Sequence, residues 1–148
     1  MRCLQEKNLM VGIRGVMKMS DYEKYCQGFI GEDIIRNLFK KKKYRFFQAD
    51  MITKIKEEWY CVEIKRQERF MPPPFEGQGL PKWQIEDRLK FQKETGIRCM
   101  FFVVEKPTEN ILWNYLDNLY NAEKYQTKGD KPRIIFPIVN FKKINLVG

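Results

Sequence analysis

The tripeptide Glu63-Ile64-Lys65 sets a carboxylate and an ammonium two residues apart in a stretch rich in aromatic and β-branched residues. In a strand, residues i and i+2 share a face, so Glu63 and Lys65 project together while Ile64 turns to the core. An acid-x-Lys pattern means little alone, because chance yields about 2.4 copies in a chain of this composition. Its placement is what informs. Residues 44–53 and 58–65 are both strand-like and are separated by the polar residues 54–57, which reads as a β-hairpin. With the turn near Lys56 and Glu57, Asp50 lies opposite Glu63. Two carboxylates at that separation repel unless a cation lies between them, an arrangement that suits Mg²⁺, with Mn²⁺ as its substitute, and leaves positions for water and phosphate. Lys65, on the same patch, is placed to hold or deprotonate an attacking water. The competing reading is a surface cross-strand salt bridge.

Two further residues have the right chemistry and less specific placement. Glu32 sits in Gly28-Phe29-Ile30-Gly31-Glu32-Asp33 on a helix, where an acidic side chain is normally just solvated. Gln84 opens a later helix, where its amide could orient a water or a phosphate, though alone it is ordinary helix surface.

Composition narrows the chemistry. The 148 residues include 28 Lys and Arg against 19 Asp and Glu, a formal +9, which points to a polyanionic partner and to nucleic acid first. There is no histidine. That excludes Ser-His-Asp and Cys-His catalysis, imidazole general bases and imidazole zinc sites, so hydrolysis of a phosphodiester would fall to carboxylates, lysine and a hard cation. Cys3, Cys26, Cys61 and Cys99 form no CxxC pair and read as reduced core residues. The longest apolar runs, 9–13 and 100–104, are far too short to span a bilayer, so no membrane is expected and the location expected is cytoplasmic, in a prokaryotic, archaeal or phage-infected host cell.

These residues need elements to position them. Ser20 and Asp21 are helix-cap types, and apolar residues then recur at helical spacing to about Lys40. Gly28 and Gly31 inside that helix suggest close packing against a sheet. Residues 66–82 carry four prolines and two glycines and read as a long irregular loop, stiffened and extended by Pro72, Pro73 and Pro74 and mobile at Gly77 and Gly79, with Phe70 and Phe75 held outward. Residues 83–95 return to helix and Gly96 stops it. Residues 97–104 read as a buried inner strand, 110–123 as an amphipathic helix, and 133–139 and 141–147 as late strands. Residues 1–19 are an arm of uncertain structure. The order α, β-hairpin, loop, α, β, α, β makes an α/β layered single domain over 1–148, without internal repeats.

Helix glutamate, then Asp50, then Glu63-x-Lys65 on the neighbouring strand, then a glutamine opening the next helix, resembles the PD-(D/E)xK nuclease superfamily. Within it, Gln84-Ile-Glu-Asp-Arg-Leu-Lys-Phe-Gln-Lys-Glu-Thr-Gly96 and the strand after it are similar to the small Holliday-junction resolvases, archaeal type and RecU type. The resemblance covers about residues 27–106. It implies a restriction-endonuclease-like fold, a central mixed β-sheet flanked by helices. It implies Asp50 and Glu63 as metal ligands, the Ile64 carbonyl as another, Glu32 acting directly or through water, and Lys65 and Gln84 positioning the nucleophile. Ala49 stands where the superfamily often has proline before the aspartate. The function implied is a Mg²⁺-dependent, structure-selective DNA endonuclease, foremost a junction resolvase working as a homodimer, since two symmetric incisions need two sites. Another nuclease of the fold, acting in restriction, end processing or defence, and a catalytically inactive DNA-binding module are the alternatives.

Phosphate contacts are expected from Arg36, Lys40, Lys41, Lys42, Lys43, Arg66, Arg69, Lys82 and Arg88. Phe70, Phe75 and Trp83 are placed to stack on or wedge between bases at a branch, with a small satellite core under the loop as the alternative, favoured more for Trp83 than for Phe75. DNA affinity should therefore fall steeply with ionic strength. Titrating labelled DNA across a salt series should give a straight decline of log K against log[salt], and a flat response would remove nucleic acid as the partner.

Overall fold

The computed structural model describes residues 19–145, without the side chains of 19–22, 24 and 25. The expected arm over residues 1–18 and the end of the last expected strand lie outside the described residues. The chain divides into two compact units, Met1–Phe46 and Phe47–Gly148.

In the first unit, α1 (Met19–Lys41) forms where helical spacing predicted it. Nothing within this unit packs on its two glycines: a Cβ at Gly28 or Gly31 would meet no described residue within 4 Å. Phe39 packs edge-on against Tyr44 and Phe46 just beyond the helix end.

The second unit is a mixed α/β fold. Its central sheet has the order β1-β2-β4-β5-β8, built from β1 (Met51–Ile55), β2 (Glu58–Glu68), β4 (Arg98–Lys106), β5 (Asn110–Tyr115) and β8 (Lys142–Ile144). β2 and β4 are parallel and the other neighbours antiparallel. A second, antiparallel sheet has the order β3-β7-β6, from β3 (Gly77–Pro81), β6 (Tyr125–Gln126) and β7 (Arg133–Pro137). Parallel neighbours need a crossover. Here it runs through β3 and α2 (Lys82–Thr95), which brings the helix against β3 and β4. Gly96 ends α2 in the left-handed region, φ 75°, with its N–H donating to the Gln92 carbonyl.

The hairpin turn falls at Lys56 and Glu57, both at positive φ (48° and 71°), the geometry of a two-residue loop. The ladder pairs Ile55 with Glu58 and ends at Met51 with Val62, so the next positions along are Asp50 and Glu63. β1 begins at Met51, seven residues later than the sequence suggested. The expected facing of β2 is reversed: Cys61 and Glu63, not Ile64, look into the core, where Cys61, Cys99, Phe101 and Val103 pack with Leu80, Ile85, Leu116, Leu119, Ile134 and Phe136.

Two expectations are overturned. Residues 66–82 are not an irregular lever. β2 continues to Glu68, Phe70 and Gly77 exchange both backbone hydrogen bonds at 3.0 Å, and Gly77, Gln78, Gly79 and Leu80 are a fully buried strand. Gly77 and Gly79 are present for close approach: a Cβ would collide with the carbonyl oxygens of Phe136 and Ile134 respectively. Only 71–76 is left to loop out, and Phe70 and Phe75 are half-buried rather than held outward.

The expected helix over 110–123 is instead β5 followed by a short α3 (Leu116–Asn121). A turn that places Glu109 at φ 61° folds the chain back on β4, and Trp113 stacks on Phe102 with centroids 5.8 Å apart. Apolar contacts on both faces of β5 hide the strand period. No described helix is long and apolar enough to cross a membrane.

The glycines should answer alanine substitution with opposite signs. Gly79→Ala should lower stability by about 1–3 kcal/mol, the scale of an overpacked core. Gly28→Ala should raise it by about 0.5–1 kcal/mol by removing a flexible residue from a helix with room for a methyl. Thermal or urea melts of the two variants check both signs.

Candidate active site

Asp50 lies just before β1, exposed, and its Oδ2 accepts a hydrogen bond from the Ile64 backbone N–H at 2.8 Å. The bond clips Asp50 across the open end of the hairpin. Glu63 is only 3% exposed, on the core face of β2. From α2, Arg88 donates through Nε to Glu63 Oε2 at 2.9 Å and through Nη1 to Asp87 Oδ2 at 2.6 Å. Burial pushes the Glu63 carboxyl above the ordinary glutamate value. Arg88 opposes that rise, the Asp50 charge adds to it, and Lys65 works weakly with Arg88. The four groups therefore share one electrostatic environment, with Lys65 half-buried two residues along the strand.

Gln84 lies one helical turn before Arg88 and so on the same face of α2. Its Oε1 is buried and has no hydrogen-bond partner. The free oxygens here are hard donors: among the described residues Asp50 and Glu63 each have one carboxylate oxygen in a hydrogen bond and one without, and Gln84 adds the orphaned amide oxygen. That set suits a cation that takes few protein ligands and keeps water. No cluster of three or more His, Cys, Asp or Glu able to hold a metal occurs among the described residues.

The site rests on buried thiols. Cys61 and Cys99 pair in register, and Cys99 Sγ donates to the Arg88 carbonyl at 3.3 Å. Hydrogen bonding to Cys61 and burial push the Cys99 thiol up. Among the described residues Cys26, Cys61 and Cys99 are free; Cys61 and Cys99 lie in the core as expected, Cys26 is only half-buried, and Cys3 lies outside the described residues.

Several of the other expected site residues carry ion pairs of their own. Glu32, on α1, takes a hydrogen bond from Arg36 Nη1 at 3.2 Å, and Arg36 is also paired with Asp33, so a residue assigned to the metal and one assigned to DNA bond to each other. Arg88 departs from its expected role: at 6% exposure it is a partner of Glu63 and Asp87, not a surface phosphate contact. Arg66 is paired with Glu109. Arg69 grips Glu105 with two bonds, 2.9 and 2.7 Å, and lies 3.8 Å from Glu76. Lys40, Lys41, Lys42 and Lys43 are exposed, and Lys82 lies 3.7 Å from Glu86. Trp83 is 65% exposed, which rules out the satellite-core alternative for it, while Phe75 is half-buried.

Sequence reasoning missed a buried polar network at the other end of β2. Gln67 donates to Gln78 Oε1 (2.8 Å) and the Gly79 carbonyl (3.0 Å), and Gln78 donates to Glu105 Oε2 (2.7 Å). The Arg69 bonds, reinforced by Gln78 and opposed by burial, hold the Glu105 carboxyl below the usual range. The one signal was a glutamine between two glycines, Gly77-Gln78-Gly79.

No family model and no curated protein matches the chain. Among solved structures, Hjc of Archaeoglobus fulgidus, a Holliday junction resolvase from an archaeal hyperthermophile, is similar at 14% identity and a TM-score of 0.43, over 77% of this chain and 91% of that one. The chemical reading therefore rests on the residues themselves.

The Glu63–Arg88 pair should behave as a buried unit. Arg88→Met should destabilise the fold by about 3–5 kcal/mol, because Glu63 is left without its partner. The double variant with Glu63→Gln should recover much of that loss. Denaturant melts of the two single variants and the double variant measure the coupling, and additive losses would show that the two side chains do not depend on each other.

Proposed function

We propose that this chain is a Mg²⁺-dependent DNA endonuclease selective for branched DNA, a junction resolvase acting as a homodimer. The observation that carries the reading is the register of β1 with β2, which continues to Asp50 beside Glu63 with Lys65 on the same strand face. Support comes from the orphaned Gln84 oxygen, the surplus of nine positive charges and the ordered resemblance to PD-(D/E)xK nucleases.

In this reading Asp50, Glu63 and the Ile64 carbonyl hold a divalent cation, with Mn²⁺ able to replace Mg²⁺. Once bound, it supplies Lewis-acid polarisation of the scissile phosphate and acidifies water. Lys65 stabilises charge developing on the phosphoryl oxygens, and Gln84 orients the nucleophilic water through its free amide oxygen. Arg88 is a positioning residue that fixes one Glu63 oxygen and so aims the other. Exposed Lys40, Lys41, Lys42 and Lys43 bind backbone phosphate without regard to sequence. Glu32 enters the reading only on the family resemblance.

A second reading, a DNA-binding module without catalysis, is favoured by one observation: Arg88 already neutralises Glu63. Four-way junction, nicked, flap and linear duplex substrates with Mg²⁺ or with EDTA separate the two. Asp50→Asn should abolish Mg²⁺-dependent cleavage while DNA affinity and the melting temperature stay close to wild type. Lys65→Ala should slow cleavage by at least about a hundredfold, the scale of one lost transition-state stabiliser. Wild-type protein that binds junctions without cutting them would establish the binding module.

A further inference from the structure

A cleft of about 590 Å³ opens beside the start of α2, lined by Pro81, Lys82, Trp83, Glu86, Asp130, Lys131, Pro132 and Arg133. Three of its features call for a ligand. Trp83 presents a flat indole, 65% exposed, on the cleft wall. Arg133 is a half-buried cation with no carboxylate at ion-pair distance among the described residues. Its Nε is buried without a partner, and Nη2 makes only two long bonds, 3.5 Å each, to Gln67 Oε1 and the Gly79 carbonyl. Burial lowers its pKa, the direction expected of a cation lacking a counter-ion. Lys131 is exposed on the same wall, while Lys82 is engaged with Glu86.

An apolar, planar platform beside two cations that lack an acid partner fits a ligand with one flat face and one anionic group. An unpaired nucleotide has both: its base stacks on an aromatic ring whatever its identity, and its phosphate suits arginine and lysine. A cleft of this volume has room for one nucleotide. A base stacked inside a duplex offers no free face, so a cleft of this kind would favour an unpaired base. Gln84 is the next residue after Trp83, so a nucleotide held here lies at the same helix end as the candidate site.

We propose that this cleft binds one unpaired DNA nucleotide, stacking its base on Trp83 and taking its phosphate on Lys131 and Arg133. The proposal deepens the nuclease reading and rests on it, because it supplies the feature by which branched DNA would differ from smooth duplex.

The test is fluorescence anisotropy of labelled oligo-dT and of a blunt duplex, in EDTA and low salt, with wild type, Trp83→Ala, Trp83→Phe and Lys131→Gln. Trp83→Ala should weaken oligo-dT binding between about five-fold and a hundred-fold, the scale of one lost stacking platform. Trp83→Phe should retain most of the affinity and Lys131→Gln lose part of it, with duplex binding within two-fold for all three. Trp83 is exposed, so the fold survives its replacement. Oligo-dT binding that Trp83→Ala leaves unchanged, or equal losses for oligo-dT and duplex, overturns the cleft while leaving the nuclease reading in place. Wild-type protein that binds neither DNA overturns both.

Discussion

A carboxylate buried to 3% exposure on a central strand has to be neutralised or partnered, and Glu63 imposes that condition on everything around it. Arg88 meets it only if α2 lies over the core face of β2, which in turn requires the crossover that makes β4 parallel to β2. The thiol of Cys99, bonded to the Arg88 carbonyl, ties the same helix turn to β4. One buried charge thus links sheet, crossover and helix, and the helix face that reaches Glu63 also carries Gln84.

The far end of β2 is held by a different kind of contact. Gln67, Gln78, Glu105 and Arg69 form a network in which each buried polar group has a named partner, which is the condition under which such networks specify a fold rather than weaken it. It joins β2, β3 and β4, and therefore the two sheets. The residues that looked most like a mobile binding loop are fastened at this point, because glycine was the only residue that let β3 lie against β7. The cleft with Trp83 opens just past that joint.

What could be read from the sequence followed locality. The hairpin register, the two longer helices and the stop at Gly96 depend on neighbours within a few positions, and turn chemistry and periodicity report those directly. The pairing of Arg88 with Glu63 joins residues 25 apart in the chain through the crossover, so Arg88 looked like one more surface cation among 28. Gly77 and Gly79 share their spacing with flexible linkers, and only the collision with β7 distinguishes the two uses. β5 failed for a related reason: packing on both faces erases the alternation that marks a strand. Between the two readings of Trp83 the sequence could not choose, because exposure depends on what the rest of the chain leaves uncovered.

The two carboxylates also bear on whether this patch is structural or chemical. Glu63 Oε2 is fixed by Arg88 and Asp50 Oδ2 by the Ile64 N–H, so each group has one oxygen tied into the fold and one left over among the described residues. Tying one oxygen aims the other, as in metal sites whose ligands are oriented by outer hydrogen bonds. A purely structural pair would need only Glu63 and Arg88. Asp50 works against that pair, since its charge makes Glu63 harder to ionise, and an asparagine could accept the same Ile64 N–H without the repulsion. A carboxylate kept where it opposes its neighbour's charge fits a site that gains a cation, which would turn the repulsion between Asp50 and Glu63 into shared attraction.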